Sequence, residues 1–175
     1  PATGAFFLRN TNTPGPADLV FTYGGGGLGL KPLAGDWNGD GVDTIGLYGP
    51  STGAVFLRNS NSPGGADLVF TYGAGGAGVV PVAGDWNADG IDTVGIYFAS
   101  SGAFLLRNSN SAGAADLVFS FGAGGASIVP VTGDWNGDGT DDIGIWRAGD
   151  FYQDSNGNGV WNPGTDTVAN FGNTT

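Results

Sequence analysis

The sequence contains no cysteine, histidine, methionine or glutamate, and only one lysine and one glutamine. The absence of cysteine excludes disulfides and thiolate metal sites. Without histidine and cysteine, the usual bases and nucleophiles of acyl transfer are also missing, so we expect a protein that is not an enzyme. Helices are normally built from Ala, Leu, Glu, Lys, Gln and Arg. Because four of these six types are scarce, the composition argues against a helical fold.

Positive charge is scarce as well. Five basic residues face 16 acidic ones, all of them Asp, which gives a formal net charge of −11. Nucleic acids and anionic membranes need clusters of Lys and Arg, so neither is expected as a partner. No apolar run reaches the roughly 18 residues of a membrane-spanning helix, and membrane insertion is not expected. What is present is 40% apolar residues, including 11 Phe, 5 Trp and 5 Tyr, among 36 Gly. This composition predicts an all-β fold with a real core.

The chain is repetitive. The heptapeptide Gly-Asp-Trp-Asn-Gly/Ala-Asp-Gly begins at positions 35, 84 and 133, so the period is 49 residues. We predict one continuous repeat domain with repeats at 1–49, 50–98 and 99–148 and a diverged half repeat at 149–175.

Each repeat is predicted to form four short strands, which in the second copy lie at 54–59, 67–72, 79–83 and 93–97. Four strands per unit of 40–50 residues is typical of a β-propeller blade. Three and a half repeats give about 14 strands, fewer than most closed propellers contain. Three arrangements therefore stay open: part of a longer propeller, a propeller completed by another chain, or an open stack of sheets. Unpaired strands in terminal half repeats would favour head-to-tail self-assembly.

The repeated motif opens an acidic loop with side-chain oxygens at positions 1, 3 and 5, a backbone carbonyl at position 7 and a ninth position that also carries oxygen. This is the front half of the EF-hand ligand pattern, although a strand follows instead of a helix. The candidate ligands are Asp36, Asn38, Asp40, Val42 and Thr44 in the first copy, Asp85, Asn87, Asp89, Ile91 and Thr93 in the second, and Asp134, Asn136, Asp138, Thr140 and Asp142 in the third.

Two alternatives stay open for these loops. Asp, Asn and Gly are good turn residues without any ion. However, the three loops hold ten of the 16 Asp residues, and such clustered charge would repel without a cation. We therefore predict Ca²⁺ as the cofactor. The ligand following position 7 is also open, because Asp43, Asp92 and Asp141 stand at position 8 and only one of two adjacent strand residues can face the ion easily.

The half repeat contains a fourth candidate loop, whose predicted ligands are Asp154, Asn156, Asn158, Val160 and Asp166. In the full repeats we expect Arg9, Arg58 and Arg107 to pair across a hairpin with Asp18, Asp67 and Asp116. At the matching positions of the half repeat, two carboxylates face each other instead of an Arg and an Asp. A divalent cation would replace the lost positive charge, whereas two solvated acids are the alternative.

The segment Gly-Asp-Trp-Asn-Gly-Asp-Gly-x-Asp-Thr/Asp-Ile/Val-Gly resembles the FG-GAP/VCBS-type repeat of integrin-α-like β-propellers, in its bacterial secreted form. The resemblance covers nearly the whole chain. It implies calcium held by Asp36, Asn38 and Asp40 with the Val42 carbonyl, and by the equivalents 49 and 98 residues on. It also implies binding and adhesion outside cells, commonly as modules of surface proteins.

We therefore expect a secreted or cell-surface, calcium-stabilised structural repeat protein, serving as a surface module or as the subunit of a filament. The alternative is a calcium-dependent adhesion or carbohydrate-binding module for a glycan or a surface protein. Exposed Trp37, Trp86 and Trp135 would favour that alternative, but we predict that they pack between repeats as core. The pair Asp141 and Asp142 could suggest a glycoside hydrolase, yet the sequence shows no acid isolated in an apolar setting.

Overall fold

The computed structural model describes residues 3–171. These residues form 14 β-strands and no helix, so the all-β prediction is confirmed. No helix long and apolar enough to cross a membrane occurs in this range. The strands are β1 (Ala5–Leu8), β2 (Leu19–Thr22), β3 (Lys31–Gly35), β4 (Thr44–Gly49), β5 (Ala54–Leu57), β6 (Leu68–Thr71), β7 (Val79–Gly84), β8 (Thr93–Phe98), β9 (Ala103–Leu106), β10 (Leu117–Ser120), β11 (Val129–Gly133), β12 (Asp142–Arg147), β13 (Asp150–Gln153) and β14 (Thr167–Asn170).

The strands form four antiparallel sheets. Sheet I contains β1 and β2, sheet II β3 to β6, sheet III β7 to β10 and sheet IV β11 to β14, and neighbours in each sheet follow chain order. The four strands predicted in the second repeat are all present, with ends displaced by at most two residues. Their alternation is also as predicted: in β6, Leu68 and Phe70 are half-buried, whereas Val69 is 62% exposed.

The sheets do not coincide with the repeats. Each four-stranded sheet takes the last two strands of one repeat and the first two of the next. A tight turn joins β4 to β5, in which Thr52 and Gly53 donate backbone hydrogen bonds to the carbonyl of Gly49 at 3.0 and 2.8 Å. As a result, the half repeat supplies β13 and β14 and completes sheet IV. The two-stranded sheet is sheet I, at the other end of the described residues.

Three apolar clusters lie between successive sheets. The first strands are neighbours, with β7 adjacent to both β3 and β11. The cluster between sheets II and III contains Trp37, Tyr48, Val55, Leu57, Tyr72, Val79, Val94 and Ile96. Equivalent clusters join sheet I to sheet II around Phe21 and Leu47 and sheet III to sheet IV around Phe104 and Ile143. Because each sheet buries a face against the next, the core is a series of interfaces.

A glycine after the outer strand permits this close stacking. Gly73 follows β6 and has φ +71, and a Cβ added there would lie 2.5 Å from Cδ1 of Ile96 on sheet III. A residue with a side chain would therefore be strained in its backbone and would push against the neighbouring sheet. Gly24 and Gly122 occupy the same place relative to Leu47 and Ile145 at the other two interfaces.

Candidate metal centre

Four acidic loops contain the predicted ligands. Loop A (residues 36–44), loop B (85–93) and loop C (134–142) each connect the first two strands of a four-stranded sheet. Loop D (154–166) connects β13 to β14. Loops A to C therefore occupy equivalent places in sheets II, III and IV, and loop D lies in the same sheet as loop C.

Loop A folds around its first carboxylate. Asp36 accepts hydrogen bonds from the backbone N–H groups of residues 38–41 at 2.6–3.4 Å. Partial burial acts to raise the pKa of Asp36, but these four donors together hold it below its usual value. Asp40 accepts from the Val42 N–H at 2.9 Å and from the Asn38 amide at 3.0 Å. All four carboxylate oxygens of Asp36 and Asp40 thus have hydrogen-bond donors within the loop.

Loops B and C repeat this arrangement. In loop B, Asp85 accepts from three backbone N–H groups at 2.7–3.3 Å, and Asn87 donates to Asp89 at 2.9 Å. In loop C, the backbone N–H of Gly139 is the main reason that the pKa of Asp134 lies below its usual value. The Asn136 amide of loop C donates to Asp138 at 3.0 Å. The other predicted ligands of these two loops, at position 7, are Ile91 in loop B and Thr140 in loop C. The loop geometry therefore recurs with the sequence period.

The ninth loop position differs between the loops. Thr44 and Thr93 are buried, and each hydroxyl oxygen lies 3.4 Å from the carbonyl oxygen of the Gly that ends the preceding strand. The Thr93 hydroxyl also lies 2.5 Å from the carbonyl oxygen of Arg107. Asp142 replaces this hydroxyl in loop C and is only 6% exposed. A buried donor in two loops has therefore become a buried acceptor in the third.

The eighth position joins one sheet to the next. The Asp92 carboxylate accepts the backbone N–H of Asp36 at 2.8 Å, and the Asp92 N–H donates to the Asp36 carbonyl, also at 2.8 Å. Asp141 makes the same pair of contacts with Asp85 at 2.9 and 2.8 Å. Burial is the main cause that raises the pKa of both Asp92 and Asp141. Asp43, the equivalent in loop A, is exposed and makes no such contact among residues 3–171. Sequence reasoning missed this inter-sheet clamp.

Asp142 is a buried acid, but it lies among other Asp residues and is therefore not isolated in an apolar setting. Burial raises the pKa of Asp142 to about 7, and the nearby charge of Asp154 acts in the same direction. Both side chains line a cavity of about 40 Å³ whose walls include Trp86, Leu106 and Phe119. A cavity of this volume has room for a water or an ion but not for a sugar ring, so the raised pKa gives no support to glycoside hydrolysis.

Loop D is held by amide side chains. Asn156 donates to Oδ1 of Asp166 at 3.0 Å and to Oδ1 of Asn162 at 3.2 Å, and Asn158 donates to the same Asn162 oxygen at 2.6 Å. Asp166 also accepts the Asn162 N–H at 2.6 Å. Asn162, which sequence reasoning missed, is the ninth residue counted from Asp154, and applying the count used in loops A to C would have found it. Val160 is exposed, and its N–H donates to Asn158 at 2.9 Å.

Asp154 lies at the buried end of loop D and is 1% exposed. Its Oδ2 accepts the Gly159 N–H at 2.6 Å, whereas its Oδ1 has no hydrogen-bond partner among the described residues. Burial raises the pKa of Asp154, and the charge of Asp166 adds to this shift. An ionised oxygen that is buried without a partner is costly, which marks this carboxylate as the least satisfied in the four loops.

Of the three predicted Arg–Asp pairs, Arg107 with Asp116 is confirmed, whereas the pairs of Arg9 and Arg58 are wrong within the described residues. The Arg58 guanidinium donates to three carbonyls of its own hairpin turn at 2.5–2.8 Å. Asp67 instead accepts the backbone N–H of Asn59 at 2.8 Å. Among the described residues only Arg107 approaches its Asp, with Nη1 lying 3.9 Å from Oδ2 of Asp116. The guanidinium has several neutral carbonyls within reach, and each of them gives it a charge-assisted hydrogen bond.

The repeated tryptophans lie in different surroundings. Trp37 and Trp86 are 3% and 5% exposed and belong to the clusters between sheets, as predicted. Trp135 is half-buried on sheet IV. A separate cavity of about 180 Å³ is lined by Phe121, Ile145, Arg147, Tyr152 and Trp161. Burial of Trp37 and Trp86 excludes them as sugar-stacking platforms, so any aromatic binding surface must be elsewhere.

Loops C and D fit a hard cation better than loops A and B. Within residues 3–171, no group of three or more Asp, Glu, His or Cys side chains is arranged to hold a metal ion. A cation therefore needs amide and carbonyl oxygens in addition to carboxylates, a mixed oxygen set that suits Ca²⁺. The carboxylates at positions 1 and 5 of loops A and B accept hydrogen bonds within the loop, whereas Asp142 and Asp154 are buried and form no ion pair with a Lys or Arg of the described residues.

Comparison with known proteins adds no relative. No protein-family model matches the chain, and neither curated proteins nor solved structures give a significant match.

Proposed function

We propose that this chain is a calcium-stabilised, extracellular structural repeat protein without catalytic activity, acting as a surface module or as the subunit of a larger assembly. The observation that carries the proposal is the place of the acidic loops in the fold. Sheets II and III are joined through Asp36 and Asp92 of the acidic loops, and sheets III and IV are joined in the same way through Asp85 and Asp141. A cation held by these loops would therefore act directly on the stacking of sheets.

The arrangement of the sheets supports a propeller-like architecture. Four-stranded antiparallel meanders follow one another, and their first strands are neighbours. This is the arrangement of blades around an axis, as in the FG-GAP/VCBS-type repeat that the sequence resembles.

Calcium would also offset the net charge. Each bound Ca²⁺ would reduce the formal charge of −11 by two units. Self-repulsion destabilises compact states that have a large net charge. We therefore expect calcium to raise the stability of the whole chain, and added salt to do so only partly, because salt screens buried charges poorly.

Sheet I supports self-assembly. It has two strands, and among the described residues β1 has a neighbour on one side only. Phe7 and Val20 are cross-strand partners on one face of this sheet and are 69% and 60% exposed. A second copy that supplies two strands to this edge would complete a four-stranded sheet.

Light scattering and thermal unfolding test the proposal together. The chain is measured in millimolar calcium, in magnesium at the same concentration, and after addition of a chelator. We expect calcium to raise the unfolding temperature and to favour assemblies that chelation disperses. A compact monomer whose unfolding temperature is the same in all three solutions would refute both the calcium and the assembly parts of the proposal.

One observation favours the second candidate, a carbohydrate-binding module. In the 180 Å³ cavity, the Trp161 ring centroid lies 5.4 Å from that of Tyr152 and 6.1 Å from that of Phe121. The exposed Arg147 guanidinium at the same cavity makes no hydrogen bond or ion pair within the described residues. Aromatic rings beside a free guanidinium suit an acidic sugar. Binding to acidic glycans that is lost in Arg147→Ala and in Trp161→Ala would establish this function, and an inactive wild-type chain would eliminate it.

A further inference from the structure

Three oxygens from two loops converge on one amide nitrogen. Nδ2 of Asn136 lies 3.0 Å from Oδ2 of Asp138, 3.3 Å from Oδ2 of Asp142 and 3.3 Å from the carbonyl oxygen of Ser155. An amide nitrogen has only two hydrogens, so it cannot satisfy all three acceptors at once. Two of the three are carboxylate oxygens, and the position is therefore better suited to a cation than to a neutral donor.

Asp154, which directly precedes Ser155 in loop D, places a second buried carboxylate beside Asp142. Asp154 is 1% exposed, its Oδ1 has no hydrogen-bond partner among residues 3–171, and it lines the 40 Å³ cavity together with Asp142. The cavity is large enough for one ion or water. Its position between Asp142 and Asp154 means that negative charge approaches it from loop C and from loop D.

Loop B shows what the same place contains when no cation is needed. There the Thr93 hydroxyl donates to the Arg107 carbonyl, and the Arg107 guanidinium donates to the carbonyls of its hairpin turn. In sheet IV, Asp142 replaces the hydroxyl donor and Asp154 replaces the guanidinium. Within the described residues, no Lys or Arg side chain forms an ion pair with either acid. Where β12 meets the β13–β14 hairpin, two carboxylates therefore stand in place of the hydroxyl and the guanidinium of sheet III.

We propose that loops C and D form a single shared cation site, in which the carboxylates of Asp142 and Asp154 and the Ser155 carbonyl hold one divalent cation. The inference rests on the calcium part of the proposed function and deepens it, because it assigns the tightest binding to this site and not equally to four loops. The ion would fasten β12 to the β13–β14 hairpin, in place of the hydroxyl and guanidinium contacts of sheet III. Loops A and B, whose carboxylates are already hydrogen-bonded, would bind calcium weakly.

Calorimetric titration of the chelator-treated full chain with calcium chloride tests the site. We expect one tight equivalent of calcium per chain. Asp142→Thr, which restores the residue of loops A and B, and Asp154→Asn should each weaken it by about 10-fold or more, because even partners beyond the ligands of metal sites contribute about 10- to 100-fold in affinity. Asp67→Asn removes the same charge from an exposed residue that is not a predicted ligand, keeps an oxygen acceptor for the Asn59 N–H, and should leave the tight equivalent unchanged.

The outcomes separate this site from the proposed function. Tight binding that all three variants weaken equally, or that neither Asp142→Thr nor Asp154→Asn weakens, overturns the shared site and leaves calcium stabilisation standing. No calcium binding at millimolar concentration overturns both. Circular dichroism in chelator shows whether each variant folds. If Asp142→Thr does not fold, Asp142→Asn takes its place, because it keeps an oxygen and removes the charge, and unchanged affinity in Asp142→Asn and Asp154→Asn would reject the site.

Discussion

The inter-sheet clamp at Asp92 can be tested with a control that the repeat itself provides. Asp92→Ala removes the acceptor for the Asp36 N–H, whereas the backbone contact from the Asp92 N–H to the Asp36 carbonyl remains. Asp43 stands at the same loop position in sheet II and is exposed, with no such contact among the described residues. Asp43→Ala therefore removes the same side chain and the same charge without breaking a clamp.

The expected loss of unfolding free energy follows from the hydrogen-bond donor that Asp92→Ala leaves without an acceptor. Loss of the carboxylate leaves the partly buried Asp36 N–H without its acceptor, which costs about 1–3 kcal/mol of unfolding free energy. Asp43→Ala should stay within about 0.5 kcal/mol of the parent chain, as exposed substitutions usually do. Burial is the main cause that raises the pKa of Asp92, so its charged form is disfavoured in the folded chain. Asp92→Asn keeps an acceptor without that charge and should be close to neutral or stabilising.

Urea unfolding followed by tryptophan fluorescence measures these differences, since Trp37 and Trp86 are buried between sheets. All variants are compared in chelator, so that calcium binding does not contribute. In thermal unfolding, the Asp92→Ala loss corresponds to about 2–4 °C for each kcal/mol in a chain of this size. Equal destabilisation by Asp43→Ala and Asp92→Ala would show that the clamp contributes nothing and would refute the reasoning.

Four further substitutions probe the turns and the core. Gly53 has φ +71 and a Cβ there would press on the carbonyl oxygen of Gly73, so Gly53→Ala should cost about 2–5 kcal/mol in urea unfolding. Gly137→Ala, at φ +79 with open space around the added Cβ, should cost only about 1 kcal/mol, and equal losses would contradict the steric argument. The buried Tyr72 hydroxyl has no partner among residues 3–171, and burial raises its pKa to about 12. The folded chain therefore holds this proton more tightly than the unfolded chain, and stability should fall as pH rises from about 10 to about 12. Tyr72→Phe should reduce this alkaline loss and be near neutral at pH 8, and an unchanged pH profile of the urea midpoint would count against it. Arg58→Lys removes the forked contacts to the hairpin carbonyls and should lower the unfolding free energy by about 1–3 kcal/mol in calorimetry. An unchanged unfolding temperature would show that these guanidinium contacts do not stabilise the hairpin.

Much of the fold was predictable because its signals are local. Alternation in β6, the Asp/Asn/Gly turns and the 49-residue period are all properties of short segments or of their recurrence. The predicted loop ligands at positions 1, 3 and 5 do gather in compact turns. The calcium ions themselves, and the resemblance to an FG-GAP/VCBS-type repeat, stay predictions.

The pairing of strands across repeats was not predictable from local signals. The segment between β4 and β5 and the segment between β6 and β7 are both rich in turn residues, yet one is a hairpin and the other passes to the next sheet. Only packing of the apolar faces distinguishes them. For the same reason, the half repeat at 149–175 reads as an unpaired end but completes sheet IV.

By itself, the sequence determined the strand class, the repeat and the acidic turns, because composition, alternation and turn chemistry act over a few residues. The tertiary structure decided which carboxylates are exposed and which are buried. Asp43 and Asp92 have the same local sequence context, and only the neighbouring sheet makes Asp92 a clamp. Asp142 and Asp154 come from different loops, and it is the folding of the β13–β14 hairpin beside loop C that removes both from water. Burial of a charge depends on neighbours that are distant in sequence, and therefore only the tertiary structure identifies Asp142 and Asp154 as a buried pair of acids.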